Sequence, residues 1–268
     1  MKYFFTFFAI LFFSTNFLIT KTFAAYLPAK KNPPVDYYLV KVYHCTDMQQ
    51  IKSIEAYVAT DLIPFLHKNA IRDIGVFLPM NIDTALDKKL FVWVPFNRLD
   101  QLALVESKLD QLDPMDITSL SNLDTVKQQL PFTRMETMLA SAFKFHSRYQ
   151  PATDFSKTPE AIYEFRSYES KTQNLHLRKV HMFNEGGEIE LFKRLNFNAL
   201  FYGRVIVGAH MPNLIYMTRF KNLEDRNTHW KAFGADPVWK RLNTLPEYAG
   251  TVSKNETILM KAAECSEL

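Results

Sequence analysis

The sequence predicts an α+β fold in which two tandem ferredoxin-like βαββαβ repeats form a pseudo-dimeric α+β barrel. Internal self-similarity is the first reason. Tyr38-Leu39-Val40-Lys41-Val42-Tyr43 aligns with Tyr163-Glu164-Phe165-Arg166-Ser167-Tyr168 at an offset of 125 residues, and Leu90, Phe96, Leu99 and Asp100 align with Leu214, Phe220, Leu223 and Glu224 at an offset of 124. The order of elements is the second: short β-branched and aromatic runs alternate with helical stretches as β-α-β-β-α-β in each half. Thirdly, the strands carry large residues on both alternating faces, as Tyr38, Val40 and Val42 against Tyr37, Leu39 and Tyr43. Helices cover one face of such a sheet, and packing the two repeats together covers the other.

The elements follow in order. Residues 1–24 read as a cleaved secretory signal, with Lys2 before an 18-residue apolar run (YFFTFFAILFFSTNFLIT) and small residues at Thr22 and Ala24 before the cut. A retained membrane anchor is the alternative, because that run is just long enough to span a bilayer. Residues 25–35 hold Pro28, Pro33 and Pro34 and suit an extended leader. The first domain, residues 36–145, reads as a strand over 36–45, then a helix capped by Asp47 and running to about Lys68. Strands over 71–78 and 89–96, a helix from near Asp100, an irregular stretch over 111–134 and a closing strand over 135–145 complete it. Residues 146–160 form a polar, proline-containing linker. The second domain spans 161–263; in it Gly186-Gly187 is expected to break a helix, and Asp236-Pro237 to cap the next one.

Composition excludes several functions. With 268 residues, 47% of them hydrophobic and 22% charged, the chain can bury a full core. Its 7 glycines form neither G-x-G-x-x-G nor a P-loop, and G-x-S-x-G, H-E-x-x-H and C-x-x-C are all missing. The net charge of +4 falls to +2 once Lys2 and Lys21 leave with the signal, so no nucleic-acid partner is expected. No second apolar run could cross a membrane, and the expected location is periplasmic or secreted. Export permits a disulfide, but spacing alone leaves Cys45 and Cys265 equally consistent with two thiols.

Several motifs in the second half carry a resemblance: Ile162-Tyr163-Glu164-Phe165-Arg166-Ser167-Tyr168, Phe183-Asn184-Glu185-Gly186-Gly187, Leu214-Ile215-Tyr216 with Phe220, and Asp236-Pro237-Val238-Trp239. In their order and spacing they resemble the NIPSNAP family, clearest over residues 160–262. The resemblance implies a place in the dimeric α+β barrel superfamily. It implies no settled reaction: some members have vesicle or mitochondrial roles, and related barrels include cofactor-free monooxygenases, isomerases and haem-binding proteins.

Candidate site residues come from strand alternation, which sets Glu164, Arg166 and Tyr168 on one face and Tyr163, Phe165 and Ser167 on the other. With the aromatic set expected under the helices, the polar set would face the space between the sheets. There Glu164 would serve as acid or base, Arg166 as an anion clamp and Tyr168 as a hydrogen-bond donor; the alternative is a structural Glu164–Arg166 ion pair. The first repeat has Leu39, Lys41 and Tyr43 at these positions and lacks the acid, so the site should be asymmetric. His210, in a hairpin loop, and His229, beside Trp230, are further candidate bases, each otherwise a solvated or core histidine. His176 and His181 lie about 140° apart on a helix, which does not suit a metal pair. No metal or cofactor is expected. The expected function is an exported protein binding a small amphipathic ligand or a protein partner. The alternative is a cofactor-free monooxygenase- or isomerase-like enzyme acting on a small organic molecule, and self-association through exposed edges or aromatic patches is a third reading.

Overall fold

The computed structural model describes residues 34–109, 132–150 and 158–268. The signal, most of the leader, most of the irregular stretch and the middle of the linker lie outside the described residues. β1 (Tyr37–Cys45) leads into α1 (Met48–Tyr57), which runs through one π-helical turn (Val58–Leu62) into α2 (Ile63–Lys68). Asp47 caps α1, its Oδ1 accepting from the Gln50 amide at 2.9 Å. β2 (Gly75–Pro79) starts four residues later than expected. Ala70 and Asp73 hold φ of 58° and 62°, left-handed values foreign to regular strand backbone, so the chain turns at residues 69–70 and stays irregular over 71–74. β3 (Lys88–Phe96), α3 (Gln101–Leu109) and β4 (Arg134–Ala142) complete the first half.

The second half comprises β5 (Ile162–Glu169), α4 (Gln173–Phe183), α5 (Glu188–Arg194), β6 (Asn198–Gly208), β7 (Asn213–Phe220), α6 (Leu223–Ala235), α7 (Pro237–Leu242), a 3-10 turn at Pro246–Tyr248 and β8 (Lys254–Ala262). All pairings are antiparallel and the sheet closes in the order β4-β1-β3-β2-β8-β5-β7-β6, with β6 returning to β4. Each half runs in the same strand order, β4-β1-β3-β2 and β8-β5-β7-β6. The halves meet edge to edge, at Phe77–Pro79 against Met260–Ala262 and at Met138–Ala142 against Gly203–Gly208. Closure of this kind leaves no open sheet edge at those junctions, where an unpaired edge would attract other chains.

The barrel interior is solid. Tyr38, Trp93 and Phe201 stack at centroid distances of 4.8 to 5.7 Å, while Phe77 packs on Tyr163 at 4.7 Å and Phe91 on Phe165 at 5.6 Å. Tyr163 and Phe165 therefore point into the barrel, and Glu164, Arg166 and Tyr168 point outward beneath the helices. This inverts the expected facing of β5. Alternation defines two faces without saying which is inner; eight strands enclose a space that side chains must fill, and the aromatic set fills it. Each fully buried ring contributes roughly 1.5–3 kcal/mol, whereas charges there would lack partners.

Outside the barrel, α1 and α2 turn Ile51, Ile54, Val58, Leu62 and Leu66 onto Tyr43, Leu90 and Val92. This spacing of three and four residues is the apolar stripe of an amphipathic helix. Lys41, a buried cation of that layer, is matched at 2.9 Å by Glu106 of α3. Cys45 ends β1 as a buried thiol whose pKa burial pushes up to about 12. Cys265 packs against the same apolar cluster, and the two cysteines are thiols rather than a disulfide. Among the described residues no helix is long and apolar enough to cross a membrane.

Candidate functional site

On the outer face of β5, Glu164 is fully buried and accepts from three side chains. Arg166 Nε donates to it at 2.5 Å, Arg226 Nε and Nη2 at 2.7 and 3.2 Å, and Trp230 Nε1 at 2.8 Å. Asn222 caps α6 through the Asp225 amide, so Arg226 and Trp230, four residues apart on that helix, lie together over the carboxylate. Burial pushes the Glu164 carboxyl up, but the hydrogen bond from Arg226, the Arg166 charge and the Trp230 indole together outweigh it and hold the carboxyl below its usual value. A carboxylate with four donors and no exposure is poorly placed to exchange protons. Glu164 and Arg166 form an ion pair that orients the guanidinium, and Glu164 is not placed as the acid or base expected above.

Arg166 continues the chain of contacts. Its Cζ lies 4.0 Å from the Trp230 ring centroid, and Nη1 donates to the Tyr168 hydroxyl at 3.0 Å, which in turn bonds the Tyr216 hydroxyl at 2.9 Å. Burial lowers the Arg166 pKa, and the oxygens of Tyr216 and Tyr168 with the Glu164 carboxylate more than reverse it, so the group stays charged. Burial raises the Tyr216 phenol well above its ordinary value. Nη2 of Arg166 makes no hydrogen bond to the described residues, and the residue lines the space beside it.

That space is a pocket of about 390 Å³ between the outer sheet face and the helices, within the range of small-molecule sites. Arg166, Tyr168 and Tyr216 form its floor; Trp230 and Trp239 belong to its walls, and residues 248–252 border its rim. Lys179 of α4 and Glu188 of α5 face each other within it at 3.0 Å, both buried. The Lys179 ammonium also lies 5.6 Å from the Tyr168 ring and 5.8 Å from the Trp239 ring. Burial raises the Glu188 carboxyl against the opposing pull of Lys179 and Arg166. Gly187 opens α5 at φ 92°, which allows the sharp turn before Glu188, and a Cβ on Gly186 would stand 2.5 Å from the Met182 carbonyl oxygen. Tyr248 of the rim is anchored by His181 at 2.9 Å.

The two candidate histidines lie elsewhere. His210, at φ 63° in the β6–β7 hairpin, bridges Glu136 at 3.1 Å and Glu169 at 3.3 Å near one barrel mouth. His229 bonds the Asp225 carbonyl at 2.8 Å and sets its ring edge-on to Phe197. Neither lines the pocket. Among the described residues no group of three or more His, Cys, Asp or Glu could hold a metal ion. Sequence reading missed Arg226, Lys179, Glu188 and the pocket role of Trp239. Of these, Trp239 lies in a motif quoted above and Glu188 directly follows another, whereas Arg226 and Lys179 lie in none, and the residues meet here although far apart in the chain. Of two further depressions, one of about 540 Å³ beside Lys89 and Glu256 has no aromatic ring in its lining, and one of about 460 Å³ beside Pro159 and Arg219 has a single one, Tyr163.

An eight-stranded antiparallel barrel flanked by helices, with a charged, aromatic-walled pocket outside it, defines an α+β barrel protein. Residues 163–267 match the model of the NIPSNAP family, so the second half of the chain carries a NIPSNAP domain. Among solved structures, a candidate monooxygenase from Fusobacterium nucleatum subsp. nucleatum is 7% identical, matches over 86% of this chain and 94% of its own, and has a TM-score of 0.57. A second candidate monooxygenase, from Lactobacillus acidophilus NCFM, is 12% identical over 85% and 94% with a TM-score of 0.52. A NIPSNAP-like domain protein from Burkholderia xenovorans is 15% identical, covering 41% of this chain and 92% of its own with a TM-score of 0.37. The likeness to the two candidate monooxygenases is one of fold alone. None of the curated proteins matches this chain.

Proposed function

We propose that this protein is an exported small-molecule binding protein that holds an amphipathic organic anion in the pocket between the second-half sheet and its helices. The observation that carries the reading is the Arg166 guanidinium, held by Glu164 through Nε and by Tyr168 through Nη1, with Nη2 free for an aromatic-walled space of about 390 Å³. The balance of Glu164, Arg166 and Arg226 leaves one positive charge for an incoming anion, and Lys179 and Glu188 offset each other. Export rests on the secretory layout of residues 1–24 and puts the protein in the periplasm or outside the cell. We read the barrel as two tandem ferredoxin-like repeats, residues 36–145 and 161–263, supported by the repeated motif and the shared strand order of the halves.

Thermal-shift titration of residues 25–268 with aromatic and aliphatic carboxylates tests the reading. A ligand at 100 times its Kd adds about 2.7 kcal/mol to stability, and Trp239→Ala should abolish the shift while leaving the unliganded protein folded. No shift with any acid, or an equal shift in Trp239→Ala, would sink it. N-terminal sequencing of the protein recovered outside the cytoplasm tests export: a start at Ala25 supports cleavage, and an intact Met1 refutes it.

A second reading, a cofactor-free monooxygenase- or isomerase-like enzyme, is favoured by one observation: a buried carboxyl, Glu188, with its pKa raised at the pocket wall. Turnover of a bound acid, followed by oxygen uptake or proton exchange with solvent and lost in Glu188→Gln, supports it; stable binding without turnover argues for the binding protein.

A further inference from the structure

We infer that Glu188 is a specificity-determining residue of this pocket, and that with Arg166 it selects a flat aromatic monoanion carrying a hydroxyl group over the same acid without one. The inference rests on the ligand-binding reading above and names the chemistry of the ligand.

Two polar atoms at the pocket take no hydrogen bond from the described residues. Arg166 spends Nε on Glu164 and Nη1 on Tyr168, leaving Nη2 as a donor for the pocket that Arg166 lines. Glu188 is 2% exposed and spends Oε2 on Lys179, leaving Oε1 as an acceptor for the same pocket. The two are linked through the pocket floor, because the Tyr168 hydroxyl bonds Arg166 at 3.0 Å while the Lys179 ammonium that holds Glu188 lies 5.6 Å from the Tyr168 ring. A ligand with only an acidic group satisfies Arg166 and strips water from Glu188 without replacing it. A hydroxyl on the same ring donates to Oε1 and removes that penalty. Burial raises the Glu188 carboxyl, which makes its ionised form a stronger acceptor, and Lys179 keeps the ionised form in place. A dianion would meet Glu188 as a like charge, which favours a single negative charge. The Trp230 face stacked on Arg166 at 4.0 Å and the Trp239–Phe233 pair at 4.6 Å set aromatic surface around these poles. The corresponding layer of the first half is closed by α1 and α2, so the selection belongs to the second half alone.

Tryptophan fluorescence reads binding directly, since two of the three tryptophans line the pocket. The probes are benzoate and the 2-, 3- and 4-hydroxybenzoates, titrated into the wild type and into Glu188→Gln. At least one hydroxybenzoate should bind about 10- to 100-fold more tightly than benzoate to the wild type, the range of a hydrogen bond to a charged group. In Glu188→Gln the amide turns its oxygen to Lys179 and its NH2 to the pocket, so that advantage should fall below about threefold. Equal binding of benzoate and all three isomers by the wild type overturns the role of Glu188 while leaving anion binding intact, and it needs no variant to fold. An advantage that survives in Glu188→Gln also overturns it. Failure of every benzoate to bind removes the ligand-binding reading for aromatic acids, and this inference with it.

Discussion

His176 sits in α4 with 1% of its surface exposed, and neither ring nitrogen has a hydrogen-bond partner. Burial, helped by the charge of Arg204, lowers its pKa from 6.5 to about 4. The folded value lies below the unfolded one, so the unfolded chain binds more protons between these limits. Stability from this group is therefore complete above pH 6.5, falls as pH drops, and is fully lost once pH passes about 4. At 1.36 kcal/mol per pKa unit, that shift amounts to about 3 kcal/mol, a large part of the 5–15 kcal/mol typical of a whole domain. His176→Leu keeps the apolar packing and removes the titration. Urea unfolding of both proteins at half-unit steps from pH 7.5 to 3.5 measures the effect. The wild type should lose about 3 kcal/mol more than His176→Leu across the window, and at pH 7 the variant should match or exceed it, because an unsatisfied buried nitrogen is itself costly. Parallel pH curves for the two proteins would refute the argument, since every other titrating group is shared.

Glu164→Leu should cost about 3–5 kcal/mol, because it leaves Arg166 and Arg226 buried without their counter-charge, and Glu164→Gln should cost less; urea midpoints read both. As the folded Glu164 pKa is depressed, the contribution of this carboxylate is present above pH 4.5 and is lost as pH falls through the lowered value, so the Glu164→Gln difference should shrink in acid. Cys45 should react with a thiol reagent at neutral pH only on the timescale of unfolding, given its burial and its pKa near 12; immediate labelling of both cysteines would contradict its placement. Asp236→Ala removes the cap that accepts from the Val238 amide at 2.8 Å and the partner of Arg194. It should lower stability by about 1 kcal/mol and weaken ligand binding through Trp239, which the same short helix carries.

The elements themselves were legible in the sequence because they follow from local chemistry. The Asp47 and Asp236 caps, the Gly186-Gly187 break and the long helical run to Lys68 each depend on neighbours within a few residues, and each stands as expected. The late start of β2 depended on two left-handed residues, Ala70 and Asp73, that composition does not mark. Glu164, Arg166 and Tyr168 were legible as a group sharing one face, since a strand alternates with period two whatever surrounds it. Which face that was depended on tertiary structure. Only closure of eight strands around Trp93, Phe91 and Phe165 gave the aromatic side the interior and turned the charges toward α6. The pocket likewise needed Lys179, Glu188, Trp230 and Trp239 brought together from four helices, a long-range arrangement that no spacing along the chain encodes. Local periodicity thus determined the parts and their two-sidedness, while the volume enclosed by the barrel and the packing of helices over it decided where the charges and the cavity lie.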